Sequence, residues 1–156
     1  MNKKIFAIFA VFALVLSISA VSAFGLDSLF GGGAKSAENI TLGGINFTIP
    51  EGFEEIPEMA LNGSSNLTED GQKFTIWSKE FINGTNVIDI AVTSYEGVEI
   101  AEDVGDELPG EKKTVKGING TIYDDGNLKG FQYVKDGKVV LVSCPTDDLL
   151  EQVIIN

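Results

Sequence analysis

Short glycine-containing turns set between runs of apolar residues restrict the folds open to this chain more than any other feature. Gly43-Gly44 separates 39–42 from 45–49, Asn83-Gly84 separates 73–82 from 85–95, and Asp136-Gly137 separates 130–134 from 138–144. Paired runs joined by two or three such residues are β-hairpins. In 45–49, Ile45, Phe47 and Ile49 alternate with Asn46 and Thr48, which predicts a strand buried on one face. For the 73–95 hairpin, a two-residue turn at Asn83-Gly84 places Trp77 opposite Ile90 and Ile76 opposite Ala91, mixing apolar side chains over both faces. A three-residue loop with Gly84 in a bulge aligns Phe74 with Val92, Ile76 with Ile90 and Ser78 with Ile88, leaving one clean apolar face. A slip of one residue exchanges the faces of a strand, so the second register is predicted.

Segments 112–116 and 118–123 read as two further strands, followed by a turn at Asp124-Asp125-Gly126-Asn127. The run Val139-Val140-Leu141-Val142 is apolar on both faces, as in a central strand covered from both sides. Helical signals are sparser. A helical turn is predicted around 57–61 and a polar loop over 62–71. A helix interrupted by Gly97 and Gly105 is predicted over 96–106, from Ala101, Val104 and Leu108 at helical spacing. After Pro145, Thr146 can cap a helix whose first turn holds Asp147 and Asp148 and whose buried stripe is Leu149, Leu150, Val153 and Ile154. The fold class is α+β: a mostly antiparallel β-sheet of hairpins packed by a C-terminal helix.

Ahead of this body lies a different kind of sequence. Lys3 and Lys4 precede an unbroken apolar run over 5–16, and small residues lead to Val21-Ser22-Ala23. That order is a secretory signal peptide with cleavage expected after Ala23. The alternative is a retained membrane anchor, since 5–24 is long enough to cross a bilayer. Residues 24–38, with Gly31-Gly32-Gly33, read as a flexible linker, and 39–156 as a single domain. The location implied is secreted or cell-surface, with membrane contact only through an uncleaved leader.

Removal of the leader leaves 9 Lys against 23 Asp and Glu, a net charge of −14, and the chain has neither Arg nor His. Nucleic-acid partners are excluded, because a surface so acidic repels polyanions. Imidazole-ligated zinc, a Ser-His-Asp triad and a Cys-His pair are excluded with His. Partners recognised by charge are cations or basic surfaces. Cys144 has no partner cysteine and sits in an apolar run, where a thiol behaves as a small hydrophobe.

Six Asn-x-Ser/Thr sequons, at Asn39, Asn46, Asn62, Asn66, Asn83 and Asn119, are candidate glycosylation sites of an exported surface. Asn62, Asn66 and Asn83 fall in predicted loops or turns. The acids Glu96, Glu99, Glu102, Asp103 and Asp106, continued by Glu107 and Glu111, are the candidate metal ligands, since Ca²⁺ takes six to eight oxygens. They lack EF-hand spacing and alternate with apolar residues as on a solvated face. Asp124-Asp125-Gly126 reads as a turn, and adjacent Glu54-Glu55 does not form the cross-cleft carboxylate pair of a glycosidase. Trp77, Tyr95 and Tyr133 are sheet aromatics, a type that packs more often than it binds ligand. No cofactor motif is present.

Three segments together carry a family likeness: Ile45-Asn46-Phe47-Thr48-Ile49-Pro50-Glu51-Gly52-Phe53, Thr114-Val115-Lys116-Gly117-Ile118-Asn119-Gly120, and 131–141 followed by the terminal helix. The chain resembles small secreted archaeal proteins of unknown function, of the kind found in methanogens, and its opening resembles PsbP/Mog1-like α+β domains. The resemblance implies an antiparallel sheet packed by helices and used for non-catalytic binding and assembly, and it carries no catalytic residue. The expectation is an exported, non-enzymatic binding or structural domain of the envelope or exterior, its partner an envelope or extracellular protein or a cation. The alternative is a Ca²⁺-dependent module or carboxylate-based hydrolase using the acidic 96–111 segment.

Overall fold

A computed structural model of the chain describes residues 35–124 and 126–155; of Asp106 and Glu107 only the backbone is described. The expected leader and most of the expected linker therefore lie outside the described residues. Two strands, β1 (Glu38–Leu42) and β2 (Ile45–Ile49), form a separate hairpin. The main sheet has eight strands: β3 (Glu54–Glu55), β4 (Leu61–Leu67), β5 (Lys73–Asn83), β6 (Asn86–Tyr95), β7 (Glu111–Val115), β8 (Ile118–Asp124), β9 (Lys129–Lys135) and β10 (Lys138–Cys144). Strands β3 and β4 both lie along β5, and the order from there is β5-β6-β10-β9-β8-β7, antiparallel throughout. The C-terminal helix α1 spans Asp147–Val153. The fold is α+β, mostly antiparallel sheet with one terminal helix among the described residues.

One face of the sheet is closed by the β1–β2 hairpin and α1, which are joined by an isolated bridge between Phe47 and Ile154. Phe47, Ile45, Ile49, Phe81, Ile90, Val92, Phe131, Tyr133, Val140, Val142, Leu150 and Ile154 fill the space between. The hairpin lies close enough that a Cβ on Gly43 would sit 2.8 Å from Val92 Cγ1, and Gly43 has φ +55°, so glycine is required there on two counts. Thr146 caps α1 by accepting from the Leu149 amide at 3.3 Å. The other face is covered by the segment between β6 and β7, whose Ile100 and Leu108, helped by Val98 and Val104, pack on Phe74, Ile76, Ala91, Tyr95, Val134, Val139 and Leu141. Strand β10 is therefore buried on both sides, as its continuous apolar run predicts.

Three expectations are corrected. The 73–95 hairpin turns at Gly84-Thr85 between paired Asn83 and Asn86, which aligns Phe74 with Tyr95, Trp77 with Val92 and Ser78 with Ala91. The predicted register rests on a single buried face, and this sheet buries both, so apolar side chains on two faces are required here. Residues 61–67 form the edge strand β4, bulged between Asn62 and Ser64, where a polar loop is predicted. Asn, Gly and Ser are depleted from strands, and backbone pairing to β5 overrides that preference. The predicted 96–106 helix is an irregular crossing ended by a 3-10 helix at Glu102–Glu107. Gly97 takes φ +69°, and no side chain caps the start of the 3-10 turn. A shorter 3-10 turn, Pro57–Met59, stands where a helical turn is predicted.

Candidate functional site

The end of the sheet where β6 stops gathers several exposed acids. The Glu96 amide bonds to Lys73 O at 3.0 Å, and its carboxylate pairs with Lys73 Nζ at 2.9 Å. Beyond Gly97 the chain crosses the sheet, anchoring Ile100 and leaving Glu99, Ala101, Glu102 and Asp103 exposed. These residues border the turns of β7–β8 (Lys116-Gly117) and β9–β10 (Asp136-Gly137). Two adjoining depressions result, of about 390 and 460 Å³, and Glu102 lines both. The first also takes in Asp103, Ile118, Asn119 and Lys135; the second Glu99, Ile100 and Asp136. The Lys135 ammonium is directed to Ile155 O at 3.1 Å.

The sequence candidates Glu99, Glu102 and Asp103 are thus neighbours on this rim, joined by Asp136, which sequence reading did not single out. Glu96 is set apart by its lysine, and Glu111 is exposed on β7. The Asp106 and Glu107 side chains lie outside the described residues. Among the described residues no three carboxylate or thiol groups gather as a metal cage.

A second feature went unseen in the sequence. On the face under the 96–110 segment, Glu80 on β5 stands directly opposite Asp89 on β6, and Asp89 opposite Ser143 on β10. Both carboxyl residues are buried, Glu80 at 4% exposure, and Glu80 Oε1 has no hydrogen-bond partner. Burial, reinforced by the charge of Asp89, pushes the Glu80 carboxyl above its ordinary pKa. Across the neighbouring strand, Tyr123 reaches over Gly130, where any Cβ would collide with its ring, and its hydroxyl lies 3.2 Å from Ser143 Oγ. Ser78, Gln132 and Thr121 extend this buried polar strip. The signal was present in the sequence as a charge inside each apolar strand, Ile76-Trp77-Ser78-Lys79-Glu80 and Ile88-Asp89-Ile90. It is legible only once both faces are known to be covered.

Other candidates resolve simply. Cys144 is fully buried, its Sγ donates to Thr146 O at 3.1 Å, and burial pushes the thiol up to about 11, the opposite of an activated nucleophile. Trp77 and Tyr133 pack on the hairpin side and Tyr95 on the other, so they share no ligand face. Glu55 pairs with Lys79 at 2.7 Å on the strand formed by Glu54 and Glu55. Asp124 Oδ1 accepts from the Gly126 amide at 2.9 Å. All six sequon asparagines are exposed. No helix among the described residues is long and apolar enough to cross a membrane. Comparison of the chain with protein-family models, with curated proteins and with solved structures finds no match.

Proposed function

We propose that the protein is exported and acts outside the cytoplasm, secreted or held at the cell surface, as a non-enzymatic binding or structural domain. One observation carries the reading: among the described residues, a thiol and a carboxyl that could do chemistry are withdrawn between packed layers while surface acids spread along one rim. The Cys144 thiol and the Glu80 carboxyl are buried, and Glu99, Glu102, Asp103 and Asp136 line open depressions. A spread of like charges favours a cation or a basic protein surface of the envelope as partner, and a net charge of −12, or −14 without the leader, disfavours nucleic acid. Kinship with small secreted archaeal proteins carrying a PsbP/Mog1-like domain belongs to this proposal. It is supported by the antiparallel sheet and terminal helix.

The test pairs binding with turnover. The mature domain and its Glu102→Lys/Asp103→Lys variant are presented to envelope extracts over a salt series, and both are run on hydrolase substrate panels. Salt-sensitive capture of a defined partner, weakened at least tenfold by the charge reversal, supports the reading. Turnover abolished by one carboxylate substitution overturns it. Heat and a raised melting temperature on titration with millimolar Ca²⁺ would transfer the reading to a Ca²⁺-dependent module.

A further inference from the structure

The six sequons are alike in sequence and very unlike in the fold. The acceptor motif is read as a unit, the asparagine amide together with the hydroxyl two residues on. At Asn46 the middle residue, Phe47, is at the centre of the core with no exposed surface. At Asn119 the middle residue is Gly120, where a Cβ would strike the Gln132 carbonyl, and the hydroxyl of Thr121 is buried and donated to Pro109 O at 2.9 Å. At Asn66 the hydroxyl belongs to buried Thr68, which accepts from the Gln72 amide at 2.9 Å. At Asn39 both ends are engaged across the β1–β2 ladder: Thr48 donates to Asn39 Oδ1 at 3.0 Å, and Thr41 donates to Asn46 Oδ1 at 2.7 Å.

The remaining two differ. Asn62-Gly63-Ser64 occupies the bulge of edge strand β4, with Asn62 and Ser64 exposed and Gly63 at φ +79°. Asn83-Gly84-Thr85 is the β5–β6 turn, exposed at all three residues, with Gly84 at φ +60° and open space around it. Gly52 lies close beside it, and a Cβ there would come within 2.7 Å of Asn83 Nδ2, so a side chain at position 52 would crowd the atom a sugar would join.

We propose that Asn62 and Asn83 are the N-glycosylation sites of the folded domain, and that the other four sequons stay bare. In the transfer, Nδ2 loses one proton and bonds to C1 of an oligosaccharide carried on a lipid phosphate. The bond from C1 to the phosphate oxygen breaks, the lipid phosphate leaves with that electron pair, and the proton passes to solvent. The two outer edges of the sheet show what the glycan at Asn62 does. Strand β7 carries Glu111, Lys112 and Lys113, charges that deter pairing with another chain. Strand β4, Leu-Asn-Gly-Ser-Ser-Asn-Leu, carries no charge, and its Leu67 is 61% exposed. A bulky hydrophilic chain on its bulge guards the edge that charge leaves open.

The inference rests on the export reading, and peptide mapping by mass spectrometry of the protein from membrane and medium fractions of its source cells separates the two. The expected result is leader-free protein with sugar on the Asn62 and Asn83 peptides and none on those of Asn39, Asn46, Asn66 and Asn119. Asn62→Gln and Asn83→Gln each lose one glycan mass. So do Ser64→Ala and Thr85→Ala, which keep the asparagines and their strand positions. Leader-free protein with either Asn62 or Asn83 bare, or with sugar on Asn39, Asn46, Asn66 or Asn119, overturns the proposal. Full-length protein in the cytosol with Met1 intact sinks the export reading instead.

Discussion

The two faces of the sheet are buried by different means. Toward the hairpin and α1 the contact is almost wholly apolar, with Phe47, Phe81, Phe131 and Ile90 showing no exposed surface. Toward the 96–110 segment, apolar residues cover only the end nearest Tyr95, and Ser78, Glu80, Asp89, Gln132, Thr121 and Ser143 are buried beyond them. A regular layer of hairpin and helix presents alternating apolar residues to the sheet and seals it. An irregular crossing places only a few anchors. The first face therefore supplies stability, while the second holds polar groups at a cost that makes the domain sensitive to its surroundings.

The sharpest way to break this contrast is to truncate one anchor on each side. Phe47→Ala should cost about 3–5 kcal/mol of unfolding free energy, because the cavity is walled by two regular layers that cannot collapse into it. Leu108→Ala should cost about 2 kcal/mol, since its segment can settle toward the sheet. Urea unfolding measures both, and equal losses would erase the distinction between the faces.

The Glu80 carboxyl tests the polar face. Its folded pKa lies above the ordinary value of 4.5, so the folded state holds this proton more tightly than the unfolded chain does. The resulting contribution to stability is complete below 4.5 and is lost as pH rises through the raised pKa. Melting temperatures of the parent and Glu80→Gln across pH 4 to 8 should therefore diverge, with the variant gaining relative to the parent as pH rises. Parallel curves would remove Glu80 from the pH response. The smallest effect is sought at the helix that closes the apolar face. Thr146→Ala removes the acceptor for the Leu149 amide and should cost about 1 kcal/mol by the same unfolding measurement.

Much of the domain was legible along the chain. The hairpin at Gly43-Gly44, the buried trio Ile45, Phe47 and Ile49, the double-sided β10 and the capped terminal helix all follow from period and turn chemistry, which are local. The edge strand β4 was not legible, because its Asn, Gly and Ser side chains do nothing to declare a strand and its pairing is supplied by β5. The 73–95 register failed for a related reason: alternation tells which residues share a face, and it does not tell how many faces are covered. The acidic rim was half legible, with Glu99, Glu102 and Asp103 close in sequence and Asp136 brought to them by the β9–β10 turn.

By itself, the amino-acid order determined that this is an acidic α+β body built of antiparallel hairpins, incapable of imidazole or guanidinium chemistry, with a leader-like opening segment. Periodicity, turn residues and composition act over a few positions, so they can be read without coordinates. Only the tertiary structure decided that both sheet faces are buried, that Glu80 meets Asp89 between layers, and which sequons keep their amide and hydroxyl within reach. Each of those depends on what packs against a strand from elsewhere in the chain, and burial of that kind leaves no mark on the strand's own sequence.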